Sequence, residues 1–128
     1  MKTVNTDKAP AAIGPYSQAI ISGGLVFTSG QIPVDPATGA VAGETIVEQA
    51  KQVMANLQVV LAAAGTTPER AVKTTCFLAD MADFAAFNEI YAQTFTSKPA
   101  RSCVAVRTLP KGVLCEVEVV AEINEVIK

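Results

Sequence analysis

An alternating run near the C-terminal end of the chain constrains the fold more than any other feature. Across residues 114–123 every second side chain is apolar, and these are Cys115, Val117, Val119, Ala121 and Ile123. The positions between them hold Glu116, Glu118, Val120 and Glu122. Side chains of a strand point alternately to the two faces of a sheet. The run therefore predicts a sheet whose two faces differ, one packed on a core and one more polar.

The rest of the chain supplies five more predicted strands and two helices. The strands span residues 2–6, 16–22, 25–30, 71–78 and 101–107, and Gly23-Gly24 predicts a tight hairpin between the second and third. Thr45 and Glu48 form a capping box that starts a helix, and Gly65 ends it. Residues 83–95 predict the second helix. The order is β-β-β-α-β-α-β-β, which indicates an α+β fold with a mixed sheet of about six strands.

Two helices are too few to cover both faces of such a sheet, so we expect both to pack on one face. In the strand at 101–107, Arg101 and Cys103 share one side while Ser102 and Val104 share the other. We assign Arg101, Cys103 and Glu116 to the face away from the helices. Only a partner subunit can then cover the apolar parts of that face.

Composition agrees with a chain that associates with itself. The 128 residues favour a single domain, 1–128, in which half of the residues are apolar and the mean hydropathy is +0.34. No run is long enough to span a membrane, and the N-terminal residues lack the apolar segment of a signal peptide. The three cysteines form no paired motif, which fits a reducing cytoplasm. We therefore expect a cytoplasmic homo-oligomer.

The chain contains no histidine, and this excludes several kinds of chemistry. A nucleophile activated by imidazole and a histidine-ligated metal site are both ruled out, and we expect no metal. The net charge is −2 and the isoelectric point about 5.0, so no basic surface predicts nucleic-acid binding. Acid–base chemistry must rest on Asp, Glu, Lys, Arg, Tyr, Ser or Cys.

Three residues of the predicted strands are candidates for chemistry, and each has a plainer interpretation. Arg101 can clamp a carboxylate with two parallel hydrogen bonds, or be an ordinary surface arginine. Glu116 can hold a water molecule, or belong to a solvated sheet face. Cys103 can be a nucleophile, but without a base a small buried side chain is the simpler role. The segments 13–16 and 28–31 are weaker signals of a pocket.

Six short motifs, in order along nearly the whole chain, together resemble the YjgF family, the reactive intermediate deaminases or Rid proteins. They are APAAIGPYSQA at 9–19, FTSGQIP at 27–33, NL with AAAG at 56–57 and 62–65, MADF with FN at 81–84 and 87–88, PARSCV at 99–104, and LPKG with EVE at 109–112 and 116–118. The motifs are similar to those of the deaminase branch of the family.

The resemblance implies a chorismate-mutase-like subunit and a homotrimer with pockets between neighbouring subunits. It implies hydrolysis of small anionic enamines and imines, such as 2-aminoacrylate and 2-aminocrotonate, to 2-keto acids and ammonia, with no cofactor. By motif, the pocket would contain Tyr16, Ser29, Gly30, Asn88, Arg101, Cys103, Pro110 and Glu116.

The resemblance also implies roles for these residues. Arg101 would hold the substrate carboxylate, and Glu116 would position water and carry its proton to the leaving ammonia. The chain departs from the family pattern at Lys98, where relatives have an aromatic residue after a longer connection, so we expect a different range of substrate side chains. Two alternatives stay open: a metabolite-binding trimer without turnover, and an endoribonuclease, against which the acidic charge counts.

Overall fold

The computed structural model describes residues 1–123 and confirms the predicted order of strands and helices. The strands are β1 (Lys2–Val4), β2 (Ala19–Ser22), β3 (Leu25–Thr28), β4 (Ala71–Leu78), β5 (Ala100–Ala105) and β6 (Cys115–Glu122). The helices are α1 (Ile46–Ala63) and α2 (Phe84–Thr94). One mixed sheet has the strand order β1-β2-β3-β6-β4-β5, in which β4 and β5 run parallel and the other pairs are antiparallel. The predicted fold class is confirmed.

Helix α1 begins and ends where its sequence predicts. The Thr45 side chain accepts a hydrogen bond from the Glu48 amide, and the Glu48 carboxylate accepts from the Thr45 amide, which completes the capping box. At the other end Gly65 has a φ of +87°, and the amides of Gly65 and Thr66 donate to the carbonyls of the last turn. This left-handed ending satisfies carbonyls that the helix itself leaves free.

The β2–β3 hairpin turns at Gly23-Gly24, both with positive φ, which sets the register of the sheet edge. The core lies between the sheet and the two helices. Strand β6, in the middle of the sheet, contributes Cys115, Val117, Val119 and Ala121, all at most 1% exposed. They pack with side chains from α1, among them Val53, Leu57, Val60 and Leu61. Within residues 1–123 no helix covers the other face, where Phe27 and Val104 are 44% and 46% exposed.

The predicted face of Arg101 and Cys103 is wrong. In the β4–β5 ladder Arg101 is opposite Thr74 and Cys103 is opposite Cys76, and both β4 residues are fully buried. Residues paired across a ladder point to the same face, so Arg101 and Cys103 face the helices. Glu116 is opposite the half-buried Phe77 and points to the uncovered face, as predicted.

Three buried amide side chains tie the long loops to this framework. Gln18 donates to the carbonyl of Pro10 at 2.8 Å and accepts from the Thr6 amide at 2.7 Å. Asn56, on α1, donates to the carbonyls of Ile32 and Val34 at 3.1 and 3.0 Å. Gln49, also on α1, donates to the Gly43 carbonyl and accepts from the Leu114 amide. Buried side chains therefore help to fix the loops that follow β1 and β3, and the loop after β3 is also joined to β6 by the isolated bridge between Gln31 and Val117.

Candidate active site

Arg101 is held by side chains from one face of α2. Its guanidinium carbon lies 4.8 Å from the centroid of the Tyr91 ring and 5.4 Å from that of Phe84. Its Nη1 donates to Asn88 Oδ1 at 2.7 Å. Residues 84, 88 and 91 are one and two helical turns apart, so they lie side by side. Cation–π contacts and one hydrogen bond fix the guanidinium and leave its other N–H groups available to a ligand. We call these four residues with Cys103 the arginine cluster.

Tyr91 is itself anchored below the arginine. Its hydroxyl and Thr74 Oγ1 are 2.6 Å apart, and Thr74 is fully buried. The ring also stacks on Phe95 at 4.8 Å between centroids. Burial raises the pKa of the Tyr91 phenol, so this group stays neutral and acts as a platform rather than as an acid. The orientation of Arg101 is thus determined by the buried core.

A cavity of about 290 Å³ opens beside this cluster. Its lining contains no acidic residue and consists of Asn88, Tyr91, Ala92, Phe95, Lys98, Pro99 and Arg101. Within residues 1–123 the single ion pair joins Arg70 to Glu122 at 3.8 Å. In this part of the chain Arg101 therefore carries a positive charge without a carboxylate partner.

Glu116 lies against the backbone of the loop that follows β3. A β-carbon built on Gly30 would collide with the Glu116 carboxylate, so a larger residue at position 30 would displace it. The loop is held there because Gln31 and Val117 exchange two backbone hydrogen bonds, at 2.9 and 3.2 Å. Burial raises the pKa of the Glu116 carboxyl, and the negative charge of Glu118 raises it further by a smaller amount. A carboxylate with a raised pKa is a stronger base than a fully solvated one, which suits it to accept and return a proton.

Three other predicted site residues line a second cavity, of about 520 Å³, beside Gly30. Tyr16 and Pro110 stand at this cavity with Gly30 itself, and Tyr16 is 53% exposed. Ser29 is next to it, but its hydroxyl donates to the Ser17 carbonyl at 2.5 Å. The Ser29 side chain thus fixes the backbone that presents Tyr16. We call Tyr16, Ser29, Gly30, Pro110 and Glu116 the glutamate cluster.

The structure does not bring the two clusters together within one chain. Arg101 pairs with Thr74 on β4, whereas Glu116 pairs with Phe77. Their partners on β4 are three residues apart along the strand, and β5 and β6 lie on either side of β4, two strand spacings apart. The α-carbons of Arg101 and Glu116 are therefore about 14 Å apart. Their side chains also point to opposite faces of the sheet. One subunit therefore presents two separate groups of residues, and no small molecule contacts both.

Cys103 is a weak candidate for a nucleophile. Burial raises the pKa of its thiol, and burial raises the pKa of Cys76, its neighbour across the ladder, to about 12. Both thiols are therefore protonated at neutral pH and are poor nucleophiles. Among residues 1–123, no three His, Cys, Asp or Glu side chains are grouped so that they could hold a metal ion.

Sequence reasoning missed the platform under Arg101. It assigned Asn88 to substrate contact, whereas Asn88 binds the arginine, and it gave Phe84 and Tyr91 no role at the site. Their spacing of four and three residues was the available signal, because it places all three on one helical face. That signal could not be used without knowing that Arg101 faces the helices.

Comparison with known proteins agrees with the motifs. The family model described as Endoribonuclease L-PSP matches residues 6–123. A RutC family protein of Synechocystis is 56% identical over 124 residues, covering 94% of this chain and 95% of that protein. The 2-iminobutanoate/2-iminopropanoate deaminase of Salmonella typhimurium is 51% identical, covering 94% and 96% of the two chains.

Solved structures show the same likeness. The YjgF gene product of E. coli superposes with a TM-score of 0.90 at 45% identity, covering 95% of this chain and 98% of that one. E. coli TdcF with bound serine has a TM-score of 0.91 at 42% identity, covering 97% and 100%. In the part of the chain described, no helix is long and apolar enough to cross a bilayer. On these matches the chain belongs to the endoribonuclease L-PSP family, the YjgF/Rid family that its motifs indicated.

Proposed function

We propose that this protein hydrolyses 2-imino acids and their enamine tautomers to 2-keto acids and ammonia. The observation that carries the proposal is the arginine cluster, a fixed guanidinium that opens on a cavity and has no carboxylate partner among residues 1–123. The Salmonella relative named 2-iminobutanoate/2-iminopropanoate deaminase supports it.

Arg101 binds the carboxylate of the substrate. Asn88 occupies one of its five N–H groups, which leaves enough donors for a bidentate pair with a carboxylate. Two parallel hydrogen bonds also fix the direction of the neighbouring C=N carbon. Lysine at this position would supply the charge without the geometry.

Glu116 acts on water. Its carboxylate accepts a proton as the water oxygen bonds to the imine carbon, and the C=N bond becomes a single bond. The proton then passes to the nitrogen, which gives a carbinolamine. In a second transfer through Glu116 the carbinolamine hydroxyl gives its proton to the nitrogen, the carbon–nitrogen bond breaks, and ammonia leaves as the C=O of the 2-keto acid forms. An imine is already electrophilic, so the reaction needs no cofactor. Backbone groups near Gly30 and Cys103, with Tyr16, Ser29 and Pro110, complete the lining.

The complete site requires two copies of the chain. Arg101 and Glu116 are about 14 Å apart on opposite faces of one sheet, so the arginine cluster of one subunit must meet the glutamate cluster of its neighbour. A head-to-tail contact generates a ring when its rotation closes, and we propose that here it closes as a homotrimer with one pocket at each interface. The apolar side chains on the uncovered face, including Phe27 and Val104, would be buried in it. We place this assembly in the cytoplasm, where dehydratases that use pyridoxal phosphate release such imines.

A coupled assay tests the reaction. A threonine dehydratase generates the imine in the presence of semicarbazide, and the release of 2-ketobutyrate is followed. We expect the wild type to accelerate release, Arg101→Ala to abolish the acceleration, and Arg101→Lys to restore little of it. Arg70→Ala, which alters an exposed arginine elsewhere, is the matched control. Full activity in Arg101→Ala would reject the proposed role.

A subunit-mixing experiment tests the shared site. We expect Arg101→Ala and Glu116→Gln each to be inactive alone, whereas co-expression creates interfaces that pair an intact Arg101 with an intact Glu116. Random assembly would restore about a quarter of the wild-type activity, because one interface in four has both residues. No recovery in mixed oligomers would show that both residues act within one subunit.

A protein that binds such metabolites without turnover is the second candidate. The observation in its favour is that the relative TdcF was crystallised with bound serine. The same arginine cluster would serve both functions. Saturable binding of 2-ketobutyrate by the wild type, lost in Arg101→Ala, together with no acceleration in the coupled assay, would favour binding alone.

A further inference from the structure

We infer that the cavity beside Arg101 accepts a second anionic group, so that the substrates include imines with a carboxylate in the side chain. The inference rests on the proposed function for the first carboxylate, on Arg101. Its own basis is Lys98, which lines the same cavity.

The backbone at Lys98 is unusual for its residue type. Its φ is +56°, in the left-handed region that glycine adopts easily and lysine does not. Pro99 follows directly, and a proline favours an extended conformation in the residue before it. A lysine held in this way by the turn after the buried Phe95 marks a constrained position. The turn places Lys98 at the cavity wall.

The charge of the cavity is unbalanced. Lys98 and Arg101 are its two charged residues, and the remaining lining is amide, aromatic or aliphatic. The ion pair found within residues 1–123 involves neither of them. A ligand with one carboxylate pairs with Arg101, and Lys98 then has no carboxylate partner from the ligand or from residues 1–123 of its own subunit. A dicarboxylate neutralises both cations, so it is favoured over a ligand of the same length with an apolar end.

Calorimetric binding of two stable keto acids tests this without catalysis. 2-Oxoglutarate and 2-oxopentanoate have equal carbon chains and differ in the terminal carboxylate. We expect the wild type to bind the diacid about fivefold more tightly at low salt, a ratio typical of one partly exposed ion pair. Lys98→Met should remove this preference, and Lys98→Arg should keep it. Lys51→Met, on the exposed side of α1, is the control and should not change the ratio.

The inference would be overturned if the wild type bound the two acids equally or bound neither. It would also be overturned if Lys98→Met kept the preference for the diacid. The coupled assay with threonine dehydratase reports separately on the proposed function. A diacid preference that depends on Lys98, in a protein that fails that assay, would leave the anion site standing and reject deamination.

Discussion

The two residue clusters are built in different ways. The arginine cluster consists of side chains from one face of α2, and its geometry depends on ring contacts and one hydrogen bond. In the glutamate cluster the backbone supplies the shape, because Glu116 occupies space that the missing side chain of Gly30 leaves open. Substitutions that remove side-chain atoms should therefore disturb the arginine cluster, whereas substitutions that add atoms should disturb the glutamate cluster.

The two clusters also have different proposed roles, because one determines the affinity for the substrate and the other acts in the chemical step. In the proposed reaction the arginine cluster binds a group that does not react, whereas Glu116 contacts the water that does. Substitutions in the arginine cluster should mainly raise KM, and substitutions that affect Glu116 should mainly lower kcat. Each prediction below tests one side of this division.

The largest effect is expected for Gly30→Ala. The added methyl group would displace the Glu116 carboxylate, and a misplacement of about 1 Å can lower activity about 100-fold. The coupled assay should show a fall in kcat with a smaller change in KM. Gly65→Ala is the control, because that methyl group meets nothing within 4 Å. It should reduce stability by about 1 kcal/mol through its positive φ and leave kcat unchanged. A Gly30→Ala enzyme within threefold of wild type would contradict the close packing.

An intermediate effect is expected at Tyr91. Tyr91→Leu removes the ring below Arg101, and we expect the Kd for 2-ketobutyrate to rise about fivefold, as measured by calorimetry. Tyr91→Phe keeps the ring but leaves the buried Thr74 hydroxyl without its partner. It should lower the free energy of unfolding by about 1–2 kcal/mol with little change in Kd. Adding Thr74→Val should recover part of that stability. Equal Kd values for the Phe and Leu variants would rule out the cation–π contribution.

The smallest effect is on the pH dependence of stability at Glu116. Its pKa is raised above the ordinary value of 4.5 in the folded state. The folded protein therefore holds this proton more tightly than the unfolded chain. Its contribution to stability falls as the pH rises from 4.5 through the raised pKa, by a few tenths of a kcal/mol because the side chain is partly solvated. Urea unfolding from pH 4 to pH 8 should show this decrease in wild type but not in Glu116→Gln. Parallel curves for the two proteins would remove the argument for a perturbed carboxyl.

Much of the fold could be predicted from the sequence because its signals are local. Thr45, Glu48 and Gly65 act on their own helix ends, and Gly23-Gly24 acts on its own turn, so no distant contact is needed to interpret them. The alternation in β6 also survives in the structure, since this central strand has a core on one side only.

The face of Arg101 could not be predicted in this way. Strand β5 is at the sheet edge, and both of its faces mix polar and apolar side chains. Because Val104 is apolar, the face that it shares with Ser102 resembles a core face in the sequence. In the structure Val104 is 46% exposed. Arg101 points to the helix side because it pairs with the buried Thr74, and its guanidinium contacts the rings of Phe84 and Tyr91 there. Only the pairing of β4 with β5 reveals this, and that pairing connects residues 27 apart in the chain.

The buried amides of Gln18, Asn56 and Gln49 have a kinetic consequence. Moving the loops they hold would break several buried hydrogen bonds at once, and each exposed carbonyl would need a new donor. These loops form much of the wall of the larger cavity, which is consequently fixed before a ligand arrives. In the proposed reaction such a preformed wall needs no ordering step before a short-lived imine binds.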